Sequence, residues 1–257
     1  MSSGSSSGGP DSGPNIGWDP GDLTGVEVSS QALTRTVDAL TAEDLEAPSL
    51  LPGWTRAHVV AHVALNGFSL ARVIDGVVRG NPVAMYESDE QRDGDIAELA
   101  QADPAELRER HLEAVTAFDD AVGMLHDEHW SDRIDRLPGG PAWPMVTVVP
   151  TRRREIELHH ADLGTSYTPA DFPDDFVAEL LDVVTVDQAG SGPFLVRATD
   201  LGREWSVGGD GGPTVMGTGA GLGWWLAGRG NGDGLSCDAD ELPRLGPWRR
   251  AAGTAVS

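Results

Sequence analysis

Two of the seven histidines stand where a metal site would need them. Residues 145–163 have helical periodicity, and at about 100° per residue Glu155 and His159 fall about 40° apart, one turn from each other. Val148, Ile156, Leu158 and Leu163 surround that direction, so the Glu155/His159 pair points inward. Arg153, Arg154, Glu157 and His160 fall on the opposite side, where Glu157 and His160 read as a solvated pair. A carboxylate and an imidazole turned into a core are costly unless something pairs with them. A mutual hydrogen bond would serve, and so would a divalent ion. A third donor comes from residues 55–79, where Val59, Val63, Leu70, Val73 and Val77 form an apolar face with His62 at its edge and His58 further toward solvent. His62, Glu155 and His159 would make a two-histidine, one-carboxylate set with open positions, suited to a catalytic zinc and also to iron. Arg152 and Asp162 lie on the same side of their helix and are placed to be outer partners of those ligands.

These residues need a helical frame, and the sequence supplies one. Residues 22–47 are helical in pattern, with a break at Thr41-Ala-Glu-Asp44, which has capping-box form. Leu51-Pro-Gly-Trp54 is a turn, Thr55 caps the His62 helix, and Gly80-Asn-Pro82 stops it. A loop over residues 83–88 leads into a short polar helix, and Pro104 opens an amphipathic helix reaching about His126. A proline-rich loop, residues 137–144, precedes the Glu155 helix, which Gly164 closes. Four long helices with short connections predict a bundle. Beyond Gly164 the pattern changes to a helix over residues 174–188, strands over 193–199, 204–207 and 214–216, and a tryptophan-rich helix over 220–229. Gly208 to Gly212 reads as a hairpin-like turn, with no following helix to make it a nucleotide-binding loop. The expected fold class is therefore α+β. A bundle over residues 21–165 is followed by a small α+β domain over residues 170–252, and residues 1–20 form a disordered Ser/Gly tail or expression remnant.

Composition narrows the functions. The formal charge is −23, from 41 acidic and 18 basic side chains, and every basic residue other than histidine is arginine. Such a chain repels phosphate backbones, which argues against nucleic acid as a partner. The apolar stretch over residues 59–78 is interrupted by His62, Asn66, Arg72 and Asp75, which argues against a membrane span, and the N-terminus lacks the pattern of a signal peptide. A single cysteine, Cys237, excludes a disulfide framework and a Cys-rich zinc site, and it fits a reducing, cytoplasmic setting. Its acidic neighbours disfavour a thiolate, so it reads as an inert surface residue. His111, His126 and His129 lie in acidic, exposed-looking surroundings and receive no role.

The segment Leu51-Pro-Gly-Trp-Thr-Arg-Ala-His-Val-Val-Ala-His62-Val-Ala-Leu-Asn66 resembles the opening motif of the mycothiol-dependent maleylpyruvate isomerases, members of the DinB-like metal-binding superfamily. Further blocks match in order: Met85-Tyr86 with Arg92, Arg152-Arg-Arg-Glu155-Ile-Glu-Leu-His159-His-Ala-Asp162, Ala227-Gly-Arg229-Gly-Asn-Gly-Asp-Gly, and Glu241-Leu-Pro with Trp248. The resemblance runs over roughly residues 22–250. It implies a DinB-like four-helix bundle with zinc, or another divalent metal, on His62, Glu155 and His159. It also implies mycothiol, the small thiol of high-GC actinobacteria, as cofactor. The reaction implied is the cis–trans isomerisation of maleylpyruvate to fumarylpyruvate in gentisate breakdown, by thiolate addition and elimination. Arg229 matches an arginine the family uses in catalysis; unaided, it reads as a helix C-terminal arginine on the dipole. Arg229 is then the first choice for gripping a carboxylate of the dicarboxylate substrate through two parallel bonds. Arg92 and Tyr86 are weaker candidates for substrate binding, since their loop also serves to cover helix ends. A mycothiol S-transferase that consumes the thiol, or a metal-stabilised binding protein without turnover, are the competing readings on such a scaffold. A monomer is expected.

Overall fold

A computed structural model describes residues 23–248; the expected Ser/Gly tail and residues 249–252 lie outside them. The chain opens with α1 (Thr24–Ala39) and the short α2 (Ala42–Glu46). Between them Thr41 and Asp44 satisfy each other's backbone N–H groups, so the break falls at the capping box. The turn at Leu51 then feeds α3 (Arg56–Val78), capped by Thr55 with His58 as its reciprocal partner. That bond makes His58 a capping residue, half-buried at the helix start.

The short helix α4 (Asp89–Leu99) is capped by Ser88, and α5 (Pro104–Val122) has Asp103 accepting from Ala105 and Glu106 with Pro104 in its first turn. α5 ends four residues before the expected His126. A small antiparallel hairpin, β1 (Arg133–Asp135) with β2 (Ala142–Pro144), interrupts what reads in sequence as plain loop. A 3-10 turn then leads into α6 (Val148–Asp162). Its C-terminal end is closed by Gly164 at φ 64°, and Arg56 donates to the carbonyls of Leu163 and Gly164.

Helices α1, α3, α5 and α6 enclose the first core, built on Leu33, Val63, Leu70, Ile74, Phe118 and Ile156. α3 is long and apolar enough to cross a membrane by length and composition, and 67% of that stretch is buried inside the fold. The second core lies where α7 (Asp174–Asp187) and α8 (Gly219–Leu226) cover a sheet of β3 (Phe194–Ala198), β4 (Arg203–Val207), β5 (Thr214–Gly217) and β6 (Ser236–Cys237). Strand order is β4-β3-β5-β6, with β3 antiparallel to β4 and parallel to β5. The fold is therefore mostly helical with a small strand-containing C-terminal region, as expected.

Several local readings need correction. The glycine run after β4 does not close a hairpin; it carries the chain past the end of β3 to the sheet's other side. A Cβ on Gly212, at φ 79°, would sit 1.9 Å from the Pro193 carbonyl, so only glycine permits that crossing. Cys237 is half-buried on β6, against the second core, rather than on the surface. α8 ends three residues short of Arg229, which leaves that arginine in a loop.

Glu157, His160 and Arg154 are buried, not solvated. Glu157 and His160 are covered by α1 and by Tyr167, whereas Arg154 is held by Thr151 and by Glu179 of α7. Ser29 donates to Glu157 at 2.5 Å, Tyr167 donates to its other oxygen, and His160 meets Thr36 at 2.7 Å while stacking on the Tyr167 ring. His111 is buried as well, with Thr34 3.0 Å from its Nε2.

Candidate metal centre

α3 and α6 run antiparallel, and their contacts are ordered along the interface. His62 meets Glu155, and one turn further along α3 Asn66 meets Arg152, one turn back along α6. His62 Nε2 lies 3.0 Å and His159 Nε2 3.4 Å from the same Glu155 Oε2. The two imidazoles meet edge to face with centroids 4.5 Å apart. One donor atom from each of the three residues falls within 4.8 Å of the others. Ligands about 2.0–2.2 Å from a tetrahedral ion stand about 3.3–3.6 Å from one another, so small shifts would close this set around one. Both histidines turn the same nitrogen inward, and the third donor is a carboxylate, so the donor chemistry fits a divalent ion.

The charge states of His62 and Glu155 suit that fit, whereas His159 would have to give up a proton to join them. Burial and the nearby His159 push His62 down to about 4, so its imidazole is neutral at pH 7, the form a metal requires. Burial alone would raise Glu155, but hydrogen bonds to both histidines hold it well below its ordinary value. Burial also works against a charged His159, yet the adjacent carboxylates of Asp162 and Glu155 prevail and raise its pKa. Asp162 is wholly buried, with Oδ2 2.9 Å from His159 Nδ1 though out of line with the ring N–H. Arg229 turns its parallel donors on Asp162, with Nη2 at 3.0 Å and Nε at 3.2 Å, and it lies between the Trp224 and Trp248 rings. The fork expected to grip a substrate carboxylate is thus engaged by the protein's own. The result is a chain from Arg229 through Asp162 to His159.

Above the three residues opens a cavity of about 390 Å³. Its lining includes His62, Glu155, His159 and four arginines: Arg92, Arg136, Arg154 and Arg229. Tyr86 lines it as well, flanked by Arg92 and Arg136 near its ring. Arg92 donates to Asp93 and places Nη2 3.2 Å from His62 Nδ1. Arg152 is not part of the lining. It donates to the Val63 carbonyl and to Asn66 Oδ1, and to none of the three candidate ligands.

Arg136 and Arg154 escaped the sequence reading, as did Asn66. Arg136 reaches the cavity from the turn of the β1–β2 hairpin, whose backbone binds Met85 and Tyr86. No periodicity marks three-residue strands. Arg154 is on the face assigned to solvent, and only its position within the arginine triplet before Glu155 hinted at a role.

A helical bundle thus carries a two-histidine, one-carboxylate cluster with the donor set for a divalent ion, beneath an arginine-lined cavity. The chain belongs to the family of the mycothiol maleylpyruvate isomerase N-terminal domain, whose sequence profile matches residues 26–164. Among solved structures it is similar to the crystal structure of the mycothiol-dependent maleylpyruvate isomerase, at 27% identity and a TM-score of 0.80, over 88% of this chain and 95% of that one. A histidine-to-alanine variant of that enzyme matches with the same figures. No curated protein sequence matches the chain.

Proposed function

We propose that this protein is a mycothiol-dependent maleylpyruvate isomerase, with His62, Glu155 and His159 as its metal ligands. The observation that carries the reading is the placing of this cluster at the foot of a cavity with four arginines, in a chain of formal charge −23. Family membership and the solved relative support the substrate and the thiol. The two apolar cores support treating residues up to about 165 as the metal-holding unit and the remainder as a smaller unit closing one side of the cavity, with Leu158 and Ala161 of α6 packing into the second core.

A carbon–carbon double bond does not rotate, so the enzyme must make it single for a moment. A divalent ion on the three ligands would supply an open position where the thiol of mycothiol is held as a thiolate at neutral pH, the nucleophile for addition and elimination. The chain's own residues do the rest. Asp162, held by Arg229, fixes the ring of His159 so that Nε2 stays turned inward. Arg92, Arg136, Arg154 and Arg229 offset the charge of a dicarboxylate and stabilise the negative oxygen that develops as the bond turns. Trp143, Trp248, Leu158 and Met85 give the cavity apolar walls that strengthen these interactions by limiting water.

The test is the decay of maleylpyruvate absorbance with zinc-loaded protein, with and without mycothiol. Turnover requiring catalytic thiol is expected. No turnover at one zinc per chain refutes the isomerase assignment, and stoichiometric loss of mycothiol would make the protein a transferase.

A further inference from the structure

We infer that Asn66 is a fixed hydrogen-bond donor for an oxygen of the anionic ligand, a specificity-determining residue whose orientation is set by the buried Arg152 behind it. Asn66 is buried on α3 and lines the cavity one turn beyond His62. Its amide can be oriented from chemistry alone. The partner 2.9 Å away is an arginine Nη1, which can only donate, so the atom facing it must be the carbonyl oxygen Oδ1. The Nδ2 group therefore points the other way, and it donates to no group among the described residues.

Arg152 is itself unusual. It is buried, it has no carboxylate partner, and its Nη2 has no partner among the described residues. A guanidinium kept in a core with no carboxylate in contact is expensive. Here its bonds go to the Val63 carbonyl and the Asn66 amide, both on α3. A cation bonded to Oδ1 also polarises the amide and strengthens Nδ2 as a donor. Asn66 thus offers the cavity a directed, neutral donor, with the charge that sharpens it hidden one layer back. Four residues along a helix is a rise of about 6 Å, so the donor and His62 are spaced to engage different parts of one small ligand.

This inference rests on the dicarboxylate reading above, and maleate serves as a probe that needs no thiol and no turnover. Its binding is measured by calorimetry on zinc-loaded wild type, N66D and N66A, with zinc content and Tm recorded for each. Asn66→Asp keeps the shape and gives Arg152 a carboxylate, but replaces the donor with a repelling acceptor. Both variants should lose at least about tenfold in maleate affinity, the scale of a lost bond to a charged group. N66D should keep its zinc with a Tm equal to or above that of wild type, a pattern that a merely structural asparagine does not produce. Wild type that binds maleate while either variant binds it within about twofold as tightly overturns the role of Asn66. Wild type that does not bind maleate overturns the dicarboxylate reading, and this inference with it.

Discussion

Asp162→Asn is the substitution that most directly probes how the centre is held. Asp162 is wholly buried and meets two donors, His159 Nδ1 at 2.9 Å and the Arg229 guanidinium at 3.0 Å. Asparagine keeps the volume, so no cavity forms. Its single carbonyl oxygen can serve one partner, and the amide N–H₂ then confronts the other. Losing an outer partner of a metal-bound histidine typically weakens metal affinity about 10–100-fold, or about 1.4–2.7 kcal/mol. The metal-free protein should suffer too. Arg229, only 11% exposed, loses its counter-charge, and breaking such a pair costs about 3 kcal/mol. Zinc affinity by competition with a chromophoric chelator and Tm of the metal-free protein measure the two effects separately. The pH dependence has a definite sign. Burial would raise Asp162, but His159 and Arg229 outweigh it and hold the carboxyl below its ordinary value. That stabilisation is present above the ordinary carboxylate range and disappears as pH falls through the lowered value, so the Tm gap between wild type and variant should close in acid. An Asn variant with unchanged zinc affinity and unchanged Tm at neutral pH would refute the Arg229–Asp162–His159 chain.

Three further outcomes are expected. His62→Ala or His159→Ala should abolish zinc retention, whereas His160→Phe, next in sequence, should keep one zinc per chain and lower stability by about 1–2 kcal/mol through loss of the Thr36 bond; stoichiometric zinc in either alanine variant would remove that histidine from the ligand set. Arg229→Ala should retain zinc, with weakened affinity, and lose about 10²–10³ in turnover, the scale of a lost anion-stabilising donor; unchanged turnover would leave Arg229 without a catalytic part. Zinc binding should release a proton from His159, whose raised pKa favours the charged ring in the metal-free protein. Apparent zinc affinity should therefore fall as pH drops below that raised value, and calorimetry in two buffers of different ionisation enthalpy should detect the released proton.

How far the site was legible depended on whether its residues belong to long periodic elements. α3 and α6 carry enough apolar repeats to orient His62, Glu155 and His159 relative to their own helices, and the structure brings those three residues together. The opposite side of α6 misled for a physical reason. Glu157 and His160 are satisfied by Ser29 and Thr36, 128 and 124 positions away on α1, and a helix wheel treats polar residues as solvated when their partners are that remote. The same limit hid Asn66, since an asparagine on an apolar helix has no meaning until Arg152 is placed behind it. The cavity's arginines were only partly visible. Arg92 and Arg229 could be taken from motif resemblance, while Arg136 needed the β1–β2 hairpin to be seen.

The charge of the chain and the charge of the cavity then form one problem. With formal charge −23, an approaching dianion meets repulsion, and that repulsion is screened only over about 8 Å at physiological salt. The four cavity arginines do not stand as bare cations against it. Arg92 is paired with Asp93, Arg136 with Asp89, Arg154 with Glu179 at 3.6 Å, and Arg229 with Asp162. Each guanidinium is thus oriented by an acid while it lines the cavity. This arrangement keeps four positive groups close together without any of them being left buried and unpaired, which would itself be destabilising. It also ties recognition to position more than to net charge. A ligand gains attraction only where its oxygens come near those arginines, beside the candidate metal ligands, and elsewhere on the surface it meets predominantly acid.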